Sequence, residues 1–158
     1  MYSSTMIANN ILSRSFSDKV YITPMKLQKI LYFTAAEYQK ATHKPLLEEP
    51  FSTWAYGPVA YSVYNEFRSF SKHPIKRYAR DAQGKTLMID EESDIELRIA
   101  LDRVWGKTKM KSATNLSTIT HAQDSAWDKA FQQYKSTLEL ADIEDDYTYR
   151  VPLGLEAS

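Results

Sequence analysis

The feature that most constrains the fold of this sequence is a strong helix signal at residues 23–42. Thr23 can cap the free backbone N–H groups of a first helical turn, and Pro24 fits the first helical position, where a missing amide donor costs nothing. Apolar and small side chains then recur at helical spacing, at Leu27, Ile30, Leu31, Thr34, Tyr38 and Ala41. The charged side chains between them are expected to face water: Lys26, Lys29, Glu37 and Lys40. We predict an amphipathic helix over 24–42.

The same three- and four-residue spacing of apolar side chains continues on both sides of this helix. It predicts helices over 4–16, 58–70, 90–106, 112–119 and 125–134, and a weaker one over 140–147. The helix over 58–70 is expected to begin after a turn at Gly57, with Pro58 at its first position. Residues 51–55 are expected to be extended.

Residues 75–89 have a different pattern, which is typical of a β-hairpin. The turn signal DAQG lies between two short apolar runs, and Gly84 can supply a left-handed residue. Because an isolated hairpin is barely stable, it is expected to pack on the helices. The sequence thus predicts a mainly α, compact domain of about six helices, with a small β-hairpin packed on one side. Residues 1–150 are expected to form a single domain and 151–158 a loosely held tail.

Side chains that could carry catalysis or hold a metal are few and scattered. There is no Cys, which removes thiolate nucleophiles and thiolate metal sites and suits a reducing cytosol. His43 and His73 stand apart in the sequence, and no glycine-rich phosphate-binding motif occurs. We therefore predict no enzymatic activity, no metal site and no cofactor.

His121 is the one residue for which a catalytic alternative is worth weighing. It lies in the segment THAQDSAW, and Ser112, Ser117 or Ser125 could in principle act with it as a nucleophile. The stretch contains no G-x-S-x-G elbow, and these serines stand where helix caps are needed. The structural interpretation is that Asp124 caps a helix beginning at Ser125 and that Trp127 anchors this helix in the core.

Charge and hydropathy restrict the partners of the chain. Twenty Lys and Arg balance twenty Asp and Glu, whereas a domain built around phosphate contacts usually has a basic excess. Two basic patches, 72–80 and the loop 107–111, leave nucleic-acid binding open as an alternative. The chain begins with no signal-peptide pattern and has no apolar run long enough to span a bilayer. We expect a cytoplasmic protein without membrane contact.

Two motifs resemble the Panacea domain, also called SocA-like or GepA-like. The first is TPMKLQKILYF at 23–33, which is similar to the family's K-L-x-K-L-L-Y-F helix. The second is the W-x-Y-G-P-V turn within FSTWAYGPVAYSVYNEF at 51–67. A later T-H-x-x-x-x-x-W-like element resembles the segment that contains His121 and Trp127. The residues that match these motifs are Lys26, Leu27, Lys29, Trp54, Tyr56, Gly57, Pro58, His121 and Trp127.

The resemblance implies an antitoxin of a type II-like toxin–antitoxin system, which neutralises a cognate protein toxin by direct binding. Members of the family are typically encoded beside toxins in prophage and bacterial genomes. Delivery of a toxin to a protease is an alternative that the resemblance also carries, and a homo-oligomer is left open. The motif itself is interpreted as mainly fold-defining, with Trp54 and Tyr56 filling space against the helix that starts at Pro24. The expected toxin contacts lie elsewhere, at Tyr61, Tyr64, Arg68, Tyr78 and Arg80.

Overall fold

The chain folds around its second helix. A computed structural model describes residues 1–155. In chain order the elements are α1 (Ser4–Asp18), α2 (Pro24–Thr42), β1 (Ser52–Trp54), β2 (Gly57–Val59), α3 (Tyr61–Phe67), α4 (Ile95–Thr108), α5 (Ala113–Thr120), α6 (Ala126–Gln132), α7 (Leu140–Asp145) and α8 (Arg150–Leu153). Single 3₁₀ turns cover Arg68–Phe70 and Glu91–Ser93. The prediction of a mainly α fold with a small hairpin is confirmed.

Helix α2 has the predicted bounds but not the predicted exposure. Helices α1, α3, α4, α5 and α7 and strand β2 all pack against it, so every residue of 26–39 is buried. The expectation that Lys26, Lys29 and Glu37 face water is therefore wrong, and Lys40 is only partly exposed. An amphipathic pattern indicates one buried face, whereas here neighbouring helices cover the polar face as well. Polar partners inside the fold compensate these buried charges.

The small β-hairpin is formed by residues 52–59 and not by 75–89. Strands β1 and β2 pair antiparallel in a register that places Trp54 opposite Gly57, with Ala55 and Tyr56 in the turn. The expected helix start at Pro58 is wrong, because Pro58 lies in β2 and helix α3 begins only at Tyr61. The expectation of extended structure before the motif is confirmed.

The segment 75–89 contains no strand, because helix α1 satisfies its backbone groups. The side chain of Asn9 donates to the carbonyl oxygens of Ala79 and Leu87 and accepts the N–H of Ala79. Asn10 next to it accepts the N–H of Ile89 and donates to its carbonyl oxygen. The predicted turn is present, since Gly84 has a φ of +78° and its N–H donates to Asp81. The amides that would join two strands thus bond to side chains of another element.

Two helix ends and the tail also differ from expectation. Helix α4 continues through Gly106 to Thr108, so Lys107 is helical and not part of a loop. Ser125, not Asp124, caps α6, since its hydroxyl accepts the N–H of Asp128 at 3.0 Å. The tail expected from residue 151 forms α8 instead.

Helix α8 is held to the core from two sides. Leu153 and the following Leu155 are buried, and Arg150 pairs with the buried Glu37 of α2. Burial of two leucines explains why the segment is not loosely held. The remainder of the predicted tail, 156–158, lies outside the described residues.

Candidate functional site

The hairpin is clamped from its inner side by side chains of three helices. Five backbone carbonyl oxygens of residues 54–60 accept hydrogen bonds from side chains of other elements. The donors belong to α2, α5 and α6 and to the residue that ends α5. The bonds are Trp127 Nε1 to Trp54 O (2.8 Å), His121 Nε2 to Ala55 O (2.8 Å), Ser117 Oγ to Tyr56 O (2.6 Å), Lys29 Nζ to Pro58 O (3.1 Å) and Gln28 Nε2 to Ala60 O (3.1 Å). We call these five donors the hairpin clamp. It fixes a two-residue turn that would be barely stable by itself.

Lys29 and Gly57 form the tightest part of the clamp. Gly57 has a φ of +116°, which L side chains rarely adopt. A Cβ at this position would lie 2.6 Å from Thr120 Oγ1 and 2.9 Å from Lys29 Nζ. Burial of the ammonium group lowers the pKa of Lys29 to about 7. Glycine is therefore required here both by the backbone conformation and by the approach of a buried lysine.

His121 has a structural place in the clamp. Its Nδ1 lies 2.5 Å from Ser117 O and its Nε2 2.8 Å from Ala55 O, and both are carbonyl acceptors. The ring also stands edge-on to Trp127, with centroids 4.1 Å apart. His121 and Trp127 thus act as one unit against the hairpin turn.

The serines considered as nucleophiles are engaged elsewhere. Ser117 donates to Tyr56, Ser125 donates to Thr120 O, and Ser112 caps α5 by accepting the N–H of Asn115. Within residues 1–155, no hydrogen bond joins His121 to a serine hydroxyl or to a carboxylate. The geometry that a Ser–His–Asp arrangement needs is not assembled around His121.

On the outer side of the hairpin lies a groove of about 620 Å³, which we call the aromatic groove. It runs between the start of α2, the hairpin, and α3 with the turn that follows it. Its lining residues are Thr23, Pro24, Met25, Gln28, Lys29, Trp54, Tyr56, Val59, Tyr64, Arg68, Ser71, Lys72 and Ala113. A concave, mostly apolar cleft of this size is typical of a binding site.

Three aromatic rings of the groove and its rim contact one another. Trp54 stands edge-on to Tyr64, with ring centroids 4.7 Å apart, and lies 6.5 Å from Tyr61. Tyr61 is 53% exposed and Tyr56, in the hairpin turn, is 69% exposed. The expectation that Tyr56 fills space against the helix that starts at Pro24 is wrong, since the clamp holds its backbone and its side chain is largely exposed. Large aromatics held in this way are the residue types that dominate protein interfaces.

All charged side chains that line the aromatic groove are cationic. Lys29 is buried, whereas Arg68 and Lys72, from the residues that follow α3, are exposed. The carboxylate of α3, Glu66, is engaged away from the groove by Arg77 at 2.9 Å. A chain with zero net charge therefore has a locally positive groove.

The structure brings together only part of the predicted contact set. Tyr64 and Arg68 line the aromatic groove, and Tyr61 stands at its rim. Tyr78 packs edge-on against Phe16, with centroids 4.8 Å apart, and like the exposed Arg80 it does not line the groove.

Of the motif residues of α2, Leu27 is fully buried in the core. Lys26 donates to the carbonyl oxygen of Lys109 at 2.5 Å, and Lys29 belongs to the clamp. Sequence reasoning missed Gln28, which forms a two-way amide pair with the backbone of Ala60, and Met25, which lines the groove. Gln28 lies between Lys26 and Lys29 in the sequence, so no local pattern distinguished it from the charged residues expected to face water.

A second, polar cavity of about 530 Å³ lies between α2, α4 and α8. Glu37 at its wall accepts hydrogen bonds from Arg150 at 3.0 Å and from Tyr149. Burial and the charge of Glu37 raise the pKa of Tyr149. Lys40, whose pKa burial lowers to about 8, lies over the rings of Tyr147 and Tyr149. These polar groups already interact with one another. Their role is structural, because they join α2 to the last part of the described chain.

Neither a metal-binding cluster nor a membrane-spanning helix occurs within residues 1–155. No group of three or more His, Asp and Glu side chains is arranged to hold a metal ion in this range. None of the helices described here has both the length and the apolar character needed to cross a membrane.

Comparison with known proteins gives one family and one curated relative. The family described as "Antitoxin SocA-like, Panacea domain" matches residues 27–128, which run from α2 to α6 and include the hairpin clamp. Antitoxin SocA of Caulobacter vibrioides (strain NA1000 / CB15N) is 27% identical over 125 residues, which cover 77% of this chain and 66% of that protein. The chain thus spans just under two thirds of the length of this relative. No solved structure matches the chain significantly.

Proposed function

This chain belongs to the SocA-like antitoxin family with a Panacea domain, and on that premise we propose that it neutralises a cognate protein toxin by direct binding through the aromatic groove. Neutralisation by direct binding would make it the antitoxin of a type II-like system. It would act in the cytoplasm and perform no chemistry of its own.

The observation that carries this proposal is the position of Tyr56. Its side chain is 69% exposed, although its backbone carbonyl is held by Ser117 and the neighbouring carbonyl by His121. A rigid turn that presents an aromatic side chain to solvent loses little conformational freedom on binding. Tyr61, Tyr64 and Arg68 extend the same surface with residue types that are typical of interface anchors.

The alternative of a nucleic-acid-binding regulator depends on the basic patch 72–80 and on a second one at 107–111. Lys109 lies 3.3 Å from Asp18, which neutralises part of that patch. The contrast between the two alternatives is testable, because phosphate contacts make binding strongly dependent on salt.

The proposal is tested by co-expression in a bacterial host with the product of the gene that lies beside the one encoding this chain. We expect the neighbouring product to arrest growth and the intact chain to restore it. The two purified proteins should also form a complex whose Kd is measured by calorimetry. Repeating neutralisation with purified components, in the absence of any protease, separates direct binding from delivery to a protease.

A matched pair of tyrosine variants tests the surface. Tyr56→Ala removes an interface anchor and is expected to weaken the complex by about 2 kcal/mol, roughly 30-fold in Kd. Tyr134→Ala removes a tyrosine that is 97% exposed and does not line the groove, and it should bind as the wild type does. Equal affinity of both variants would place the toxin contacts elsewhere. Unrelieved toxicity in the presence of the intact chain would refute the function itself.

A further inference from the structure

The aromatic groove has a charge distribution that restricts what it can bind. Its walls are apolar, with Met25 from α2 and Val59 from the hairpin facing the pair Trp54 and Tyr64. Its polar floor is already satisfied, since Gln28 and Lys29 bond to backbone carbonyls of the hairpin. An occupant therefore gains most by placing a large apolar side chain against the walls.

Within residues 1–155, the two exposed cations that line the groove, Arg68 and Lys72, have no carboxylate as a partner. Among residues 1–155, no acidic side chain forms an ion pair with Arg68 or Lys72. The nearest acidic residues of α3 and of the connection before β1 are otherwise engaged. Glu66 bonds to Arg77, and Glu49 accepts the N–H of Ser62. A carboxylate of the occupant is the complementary group, and a guanidinium can receive it through two parallel hydrogen bonds.

Resting on the proposed function, we propose that the aromatic groove receives a segment of the partner protein in which a large apolar or aromatic side chain stands beside an Asp or Glu. The apolar side chain lies against Trp54 and Tyr64, and the carboxylate pairs with Arg68 and Lys72. Single-stranded nucleic acid fits less well, because it requires cations that follow its backbone along the whole length of a groove. Here both exposed cations come from one short stretch of the chain, 68–72.

The test uses the full chain and a displayed library of random twelve-residue peptides. We expect enrichment of peptides in which Phe, Trp, Leu or Met is close to Asp or Glu. The most enriched peptide, labelled with fluorescein, is then titrated by fluorescence polarisation. Arg68→Glu should weaken its binding at least tenfold. The same peptide with Lys in place of its acidic residue should bind the variant better than it binds the wild type.

Arg98→Glu is the matched control, since Arg98 is an exposed arginine of α4 that does not line the groove. It introduces the same change of charge and should leave the affinity unchanged. Circular dichroism of both variants confirms that they fold.

Three outcomes would overturn the inference. They are a lack of enriched peptides, enrichment of basic or uncharged peptides, and tighter binding of labelled oligo-dT that is lost in Arg68→Glu. The peptide experiment uses no toxin, so it can fail while co-expression still relieves toxicity. Conversely, acidic–aromatic selectivity can hold even if the neighbouring gene product is not neutralised.

Discussion

Replacing Lys29 with methionine should remove a pH dependence of stability that its burial creates. Lys29 is 1% exposed, and its pKa is lowered from 10.5 to about 7 in the folded protein. Between these two values the unfolded chain binds more protons than the folded one, so the free energy of unfolding rises with pH. The rise begins near pH 7 and is complete above pH 10.5. Below pH 7 the folded protein bears the full cost of the buried ammonium group.

The size of this effect follows from the proton difference. From pH 7 to pH 9 the unfolded lysine keeps almost one proton, while the folded lysine falls from half a proton to nearly none. At 1.36 kcal/mol per pH unit for each proton, Lys29 adds about 2 kcal/mol to the free energy of unfolding over this interval. Lys26 and Lys40, whose pKa values burial also lowers, add their own dependence. Both are retained in the variant and cancel in the comparison.

The assay is urea unfolding at pH 7, 8 and 9, followed by the fluorescence of the buried Trp105 and Trp127. The free energy of unfolding of Lys29→Met should increase with pH by about 2 kcal/mol less than that of the wild type. Lys44→Met, a replacement of an exposed lysine, should follow the wild-type curve. Parallel curves for Lys29→Met and the wild type would show that folded Lys29 keeps its proton between pH 7 and pH 9, so that burial does not lower its pKa.

Three further changes test other parts of the fold. Gly57→Ala should lower the free energy of unfolding by about 3 kcal/mol, because of backbone strain at a positive φ and steric overlap of the new Cβ. Gly106→Ala, in an open position of α4, should raise it by up to about 1 kcal/mol. Urea unfolding of both variants checks this, and equal effects would contradict it. Asn9→Ala should lower the free energy of unfolding by about 1–3 kcal/mol and speed hydrogen exchange of the Ala79 amide, whose N–H the Asn9 side chain accepts. Unchanged exchange at Ala79 would contradict the role of this side chain. Glu37→Gln should lower the free energy of unfolding by about 3 kcal/mol, because it removes the charge of a buried ion pair with Arg150, and an unaltered Tm would refute it.

The parts of the fold that the sequence predicted are those with local causes. Helix α2 begins where Thr23 and Pro24 place it, because capping and a fixed φ act within one turn. The hairpin was assigned to the wrong segment because its turn, at Ala55 and Tyr56, contains no turn residue. It is held by donors more than sixty residues away in the chain, such as Ser117.

Buried charges had a similar, non-local cause. Nothing near Lys29 in the sequence indicates that the carbonyl of Pro58 will receive its ammonium group. The candidate site was therefore only partly predictable. The aromatic residues and the arginine of 61–68 indicated an interface. Tyr78 does not belong to it, because its ring packs against Phe16 of α1.

The two asparagines of α1 have a consequence for how relatives of this chain can diverge. The side chains of Asn9 and Asn10 bond to the backbone of residues 79, 87 and 89. The loop between residues 79 and 87 therefore begins and ends at the same turn of α1. Residues 82–88 are exposed. Closing a longer loop between the same two ends costs little extra entropy. Insertions and substitutions can therefore accumulate in this loop without changing the helices and the hairpin that form the groove.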